Sequence, residues 1–227
     1  MTTLFQDRKH AGEELVKILD NIIISNNKKE QMVVLAIPRG GIIIGDVIAS
    51  YFQCNLDMVV SRKIGAEFNP ELAIGAVMPD NSYFINERIT NLIPSPSQNY
   101  IENQLKIEKK EIDRRLIEFR GSKQYNDKLK GKDVLLVDDG IATGATMIAA
   151  ARWIKNKNDC KSLIVAVPVA PATNKATIDD LKDVASNVII SHVVEEFYGV
   201  GQFYNRFDQV SDTDVKEIMK KYGYNIV

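Results

Sequence analysis

The sequence predicts an α/β fold: a doubly wound, mainly parallel sheet with flanking helices. Three observations carry this. Five short runs are apolar and nearly continuous, they are β-branched and bounded by Gly, Pro, Asp or Lys, and helical patterns separate most of them. The runs are "MVVLAI" (Met32 to Ile37), "LDMVV" (Leu56 to Val60), "DVLLV" (Asp133 to Val137), "SLIVAV" (Ser162 to Val167) and "NVII" (Asn187 to Ile190). They lack apolar–polar alternation, as strands do when helices cover both faces of a parallel sheet. The predicted crossovers are helices over Ile42 to Phe52, Ala145 to Ile154 and Asn174 to Val184. Repeated βα units of this kind build a doubly wound sheet.

Two segments break the rhythm. "IPSPS" (Ile93 to Ser97) punctuates the chain, and a long helix is expected after it. Ile101, Leu105, Ile112, Leu116 and Phe119 form its apolar stripe, with charges elsewhere. That stripe suits a helix packed on its own domain or one at a dimer contact. Near the C-terminus, Ser211 with Asp214 three residues on resembles a capping box, opening a last helix through Met219. We expect one domain over residues 1–227, with a helical insertion at about 93–120.

Composition narrows the function. The 227 residues are 45% hydrophobic and 26% charged, as in an ordinary globular domain. Lys plus Arg is 29 against 30 Asp plus Glu, a net charge of -1. A general nucleic-acid or membrane role favours a basic excess, so neither partner is expected. Cys54 and Cys160 have no metal-type spacing and fit a reducing compartment. The start of the chain lacks the apolar segment of a signal peptide, and no apolar run is long enough to span a bilayer. A cytoplasmic location is expected.

The chemistry lies in "LLVDDGIATGAT" (Leu135 to Thr146). Ligands of open α/β sheets bind at the carboxyl ends of strands, and this stretch lies at such an end. Asp138 and Asp139 end the strand, Gly140, Ile141, Ala142, Thr143 and Gly144 form a turn, and a helix opens near Ala145 and Thr146. Unpaired amides and the dipole at a helix start attract an anion. Ala145, where a P-loop carries Lys, excludes that motif, and the dinucleotide glycine fingerprint is missing. Carboxylates beside a phosphate cradle suit a sugar phosphate: the acids take the hydroxyls and the loop takes the phosphate.

That stretch resembles the phosphoribosyl diphosphate (PRPP) signature of type I phosphoribosyltransferases. "AIPRGGIIIGDVIA" (Ala36 to Ala49) is similar to the family's pyrophosphate loop, which implies pyrophosphate binding by Arg39, Gly40 and Gly41 and a cis peptide at Pro38–Arg39. "SRKIGAEFNPELAIGAV" (Ser61 to Val77) resembles its mobile catalytic loop, with Arg62 and Lys63 closing over the leaving group. "EEFYGVGQFYNRF" (Glu195 to Phe207) resembles the part that covers the base, with Phe197 or Tyr198 stacking on it. "FQDRKHAG" (Phe5 to Gly12) and "FYGVGQFYNRFDQVSD" resemble a subgroup of predicted phosphoribosyltransferases whose acceptor is undefined. The resemblance also implies a small hood, built from the N-terminal segment and about 190–227.

The implied activity is that of a pentosyltransferase. It moves 5-phosphoribosyl from PRPP to a nitrogenous base or other nucleophile and releases pyrophosphate. Asp138 and Asp139 orient the ribose, and Gly140 to Thr146 hold the 5′-phosphate. Mg²⁺ is carried by PRPP, with Asp138 or Asp139 reaching it through water. Ala142 stands where 6-oxopurine transferases place an acid, which argues against hypoxanthine or guanine. The alternative on the same fold is a regulatory or non-catalytic PRPP-binding protein.

Overall fold

The computed structural model describes residues 3–24, 31–125, 128–157 and 159–226. The elements run α1 (Arg8–Ile24), β1 (Met32–Ala36), α2 (Gly40–Phe52), β2 (Asn55–Met58), β3 (Arg62–Ala66), β4 (Asn69–Val77) and β5 (Tyr83–Ile85). They continue through α3 (Glu87–Thr90), α4 (Gln98–Arg120), β6 (Asp133–Val137), α5 (Ala145–Lys157), β7 (Ser162–Pro171), α6 (Lys175–Lys182), β8 (Asn187–Val194) and α7 (Asp212–Lys221).

Five strands form the main sheet in the order β2-β1-β6-β7-β8. Every neighbouring pair is parallel. All residues of β1 and β6 are buried, which accounts for their unbroken apolarity. From β1 the chain first moves outward to β2 and later inward to β6. Right-handed crossovers therefore place α2 on one face and α5 and α6 on the other. α1 packs on α2, and its buried Ala11, Leu15, Leu19 and Ile23 keep a four-residue spacing. The switch in direction leaves a crevice between the carboxyl ends of β1 and β6, where ligands of such sheets bind.

A second sheet, β3-β4-β5, is antiparallel and was not foreseen. The expected mobile catalytic loop is thus a β-hairpin, whose arms β3 and β4 meet at Glu67–Phe68 with irregular register on either side of Gly65. Phe68 at its tip is 80% exposed.

α4 starts at its Ser97 cap, whose hydroxyl accepts from the Tyr100 amide, and ends at Gly121, where φ is +69°. Its stripe packs on β3 and α7. Ile101, Ile112, Leu116 and Phe119 are buried, and Leu105 is partly buried. The C-terminal capping box is present: Ser211 and Asp214 exchange hydrogen bonds at the start of α7. Among the described residues, no helix is long and apolar enough to cross a membrane.

Candidate functional site

The site grows from two loops at the crevice. One follows β1 and carries Arg39, Gly40 and Gly41. The other follows β6 and carries residues 138–144. β1 and β6 are hydrogen-bonded neighbours, with Ala36 opposite Val137, so the loops emerge side by side.

Gly40 and Gly41 begin α2, and their missing side chains let the loops touch. A Cβ on Gly40 would lie 1.8 Å from Asp139 Oδ2, and one on Gly41 would lie 3.0 Å from the Val137 carbonyl. The Pro38–Arg39 peptide is cis, as the resemblance implied. The Arg39 guanidinium reaches Asp212 at the start of α7, at 3.0 Å.

Asp138 and Asp139 stand together at the centre. Asp138 Oδ1 accepts the Asp139 amide at 2.8 Å. Burial pushes the Asp138 carboxyl well above the usual carboxylate range, and the neighbouring charge of Asp139 adds to that. Burial raises Asp139 too, opposed chiefly by Arg8. Arg8 Nε donates to Asp139 Oδ2 at 2.8 Å, and the Tyr204 hydroxyl donates to the Asp139 carbonyl at 2.6 Å. A pair of carboxylates held this way favours ligands that donate hydrogen bonds or bring positive charge.

The 140–146 loop is tied down from outside. Asn174 donates to the Ala142 carbonyl, and Thr177 donates to the Thr143 carbonyl at 3.2 Å. Gly144 has φ +79°, and a Cβ there would lie 2.1 Å from Thr177 Cγ2. Glycine is therefore required by the turn and by α6, whereas the sequence suggested close approach of an anion. Thr143 is exposed, Thr146 is half-buried, and α5 opens directly after the loop at Ala145.

The remaining candidates are more dispersed. Arg62 Nε donates to Glu108 of α4 at 2.6 Å, and Lys63 pairs with Glu71 of β4 at 3.1 Å. Neither of these ion pairs involves the Asp138–Asp139 pair. Phe197 packs against Phe203, ring centroids 5.6 Å apart, whereas Tyr198 is 79% exposed. The segment after them does reach the site: a Cβ on Gly140 would touch Val200 at 2.7 Å. Sequence reasoning missed Arg8, Tyr204, Asn174 and Thr177. Each acts across a long separation, 131 residues for Arg8 and Asp139, so no local pattern marks it.

A sheet with this switch point, an acidic pair on one loop and glycines on the facing loop define a phosphoribosyltransferase-type α/β protein. The chain belongs to that family: residues 7–199 match the family described as "Phosphoribosyl transferase domain". It is 33% identical over 214 residues to the "Putative phosphoribosyl transferase Rv0571c" of Mycobacterium tuberculosis (strain ATCC 25618 / H37Rv). That alignment covers 93% of this chain and 45% of the relative, so the chain spans under half of that protein's length. The crystal structure of TT1426 from Thermus thermophilus is similar at a TM-score of 0.74 and 33% identity, covering 97% of this chain and 99% of that one. A hypothetical protein from Neisseria gonorrhoeae with bound ppGpp shares the fold at a TM-score of 0.50 and 13% identity, over 97% of each chain.

Proposed function

We propose that the protein transfers 5-phosphoribosyl from PRPP to a nucleophilic acceptor, a nitrogenous base in the simplest case, with release of pyrophosphate. The observation that carries this reading is the apposition of Gly40 with Asp139, which joins an anion loop and an acidic pair across one crevice.

Asp138 and Asp139 accept hydrogen bonds from the ribose hydroxyls. Residues 140–146 and the start of α5 hold the 5′-phosphate. Arg39 and the amides of Gly40 and Gly41 hold the diphosphate, for which Arg39 exchanges Asp212. The acceptor's lone pair attacks C1 as the C1–oxygen bond breaks, and the electron pair leaves with pyrophosphate. The β3–β4 hairpin, with Arg62 and Lys63, covers the leaving group and excludes water. The N-terminal segment and about 190–227 form the hood, where Phe197 and Tyr198 offer aromatic faces to the acceptor. Residues 93–120 are the helical insertion.

Among the described residues, no group of three His, Cys, Asp or Glu side chains could cage a metal. The two site carboxylates fit a Mg²⁺ that arrives on the diphosphate with its waters. Such an ion would neutralise charge on the leaving group.

The test is pyrophosphate release from PRPP and Mg²⁺ with a panel of bases, beside calorimetry with PRPP. Turnover with one base establishes the transferase. Tight PRPP binding with no turnover on any base refutes transfer to a base and favours the PRPP-binding regulator, and absence of binding refutes the site.

A further inference from the structure

We propose that Arg8 is a positioning residue for Asp139, presenting that carboxylate to the sugar as a fixed acceptor. The inference rests on the sugar-phosphate reading of the site.

Arg8 is the first residue of α1 and lies 131 residues before Asp139. A cation gains nothing from the dipole at a helix N-terminus, so helix stability does not explain it. Its side chain is only 12% exposed and is held on three sides. Nε donates to Asp139 Oδ2, Nη1 donates to the Asp208 carbonyl at 2.8 Å, and the guanidinium carbon lies 3.8 Å from the centre of the Phe207 ring. A guanidinium stacked on a ring and bonded at two edges has little rotamer freedom left, and it passes that order to its carboxylate.

The contact lies at the junction of both ligand loops. A Cβ on Gly40 would come within 1.8 Å of Asp139 Oδ2 and 2.9 Å of Arg8 Nε. Tyr204 fixes the same residue from its main-chain side. Asp139 is thus located at its carboxylate by α1 and at its carbonyl by the 204 segment.

The competing role for Arg8 is a tether between the start of the chain and residues 203–208. That tether already exists without it. The amides of Leu4 and Phe5 donate to the Phe203 carbonyl at 2.9 Å, Asn205 donates to Phe5, and Arg206 donates to Gln6. The side chains of Arg206 and Asp7 form a further ion pair. The specific product of the Arg8 side chain is the placement of the Asp139 carboxylate, which Nε holds at 2.8 Å beside Gly40.

Full-length R8Q and R8K test this by calorimetry with PRPP and Mg²⁺ at neutral pH, beside thermal melts. R8Q should bind about tenfold or more weakly, the loss of one charge-assisted hydrogen bond. R8K, which keeps the charge but neither the planar fork nor the stack on Phe207, should recover only part of that loss. A tether would lower thermal stability in R8Q and leave affinity unmoved, and that result overturns the proposal. Full wild-type affinity in R8K overturns it too, whether or not R8Q folds. Wild-type protein that fails to bind PRPP refutes the sugar-phosphate reading itself, and this inference with it. Wild-type binding with unchanged R8Q refutes only the role of Arg8.

Discussion

Gly40→Ala isolates the apposition of the two loops with one methyl group. The added Cβ would lie 1.8 Å from Asp139 Oδ2, whereas a relaxed carbon–oxygen contact needs about 3.3 Å. The carboxylate must retreat by roughly 1.5 Å, because α2 is anchored by its buried Ile42, Ile44 and Ile48 while the Asp139 side chain can rotate. Rotation breaks the 2.8 Å contact with Arg8 and withdraws an acceptor from the sugar. A displacement on the order of 1 Å at a reacting centre costs about a hundredfold in rate. The fold should lose about 1–3 kcal/mol for one surplus methyl group. Steady-state kinetics of pyrophosphate release and thermal melts read the two effects separately. Wild-type turnover in a Gly40→Ala protein would refute the claim that this glycine exists to let the loops meet.

Asp138→Asn should stabilise the unliganded protein at neutral pH while weakening PRPP binding by about ten- to a hundredfold. The sign follows from a folded-state pKa raised above 3.8: the contribution of Asp138 is fully present below that value and is lost as pH rises through the folded pKa. Melts of both proteins against pH should therefore converge in acid and diverge toward neutrality, and parallel curves would contradict it. Asp139→Asn should cost a similar factor in PRPP affinity, and an unchanged affinity would remove Asp139 from the site. Gly144→Ala should destabilise by about 1–3 kcal/mol, through φ +79° and the Thr177 methyl, and Thr177→Ser in the same chain should return part of that in melts. Ser211→Ala should cost about 1 kcal/mol by removing the α7 cap, measured by denaturant titration.

What the sequence made legible was local. The Leu135–Thr146 stretch carries strand, acids, turn and helix start in consecutive residues, so periodicity and turn chemistry located each of them. The apolar stripe of α4 was legible for the same reason. The β3–β5 sheet was not. Gly65, Pro70 and Gly75 lower its strand signal, yet the fold needs Gly75 because a Cβ there would lie 2.2 Å from the Phe84 carbonyl. α1 also escaped notice, although its four-residue spacing is plain once its partner α2 is known. The supports of Asp139 could not be read at all: Arg8 and Tyr204 meet it from 131 and 65 residues away, and only the folded sheet brings them together. Gly144 was identified as a site position, but its reason lies in Thr177, a residue of another helix.

The reach of these contacts sets an order of events during synthesis. Asp139 emerges long before Tyr204, Asp208 and Asp212, the residues that hold it, Arg8 and Arg39 in place. At roughly 5–20 residues per second, the 73 residues from Asp139 to Asp212 take about 4–15 s to translate. β1, β2 and β6 can assemble on the ribosome in that interval, whereas the crevice between them lacks its last supports.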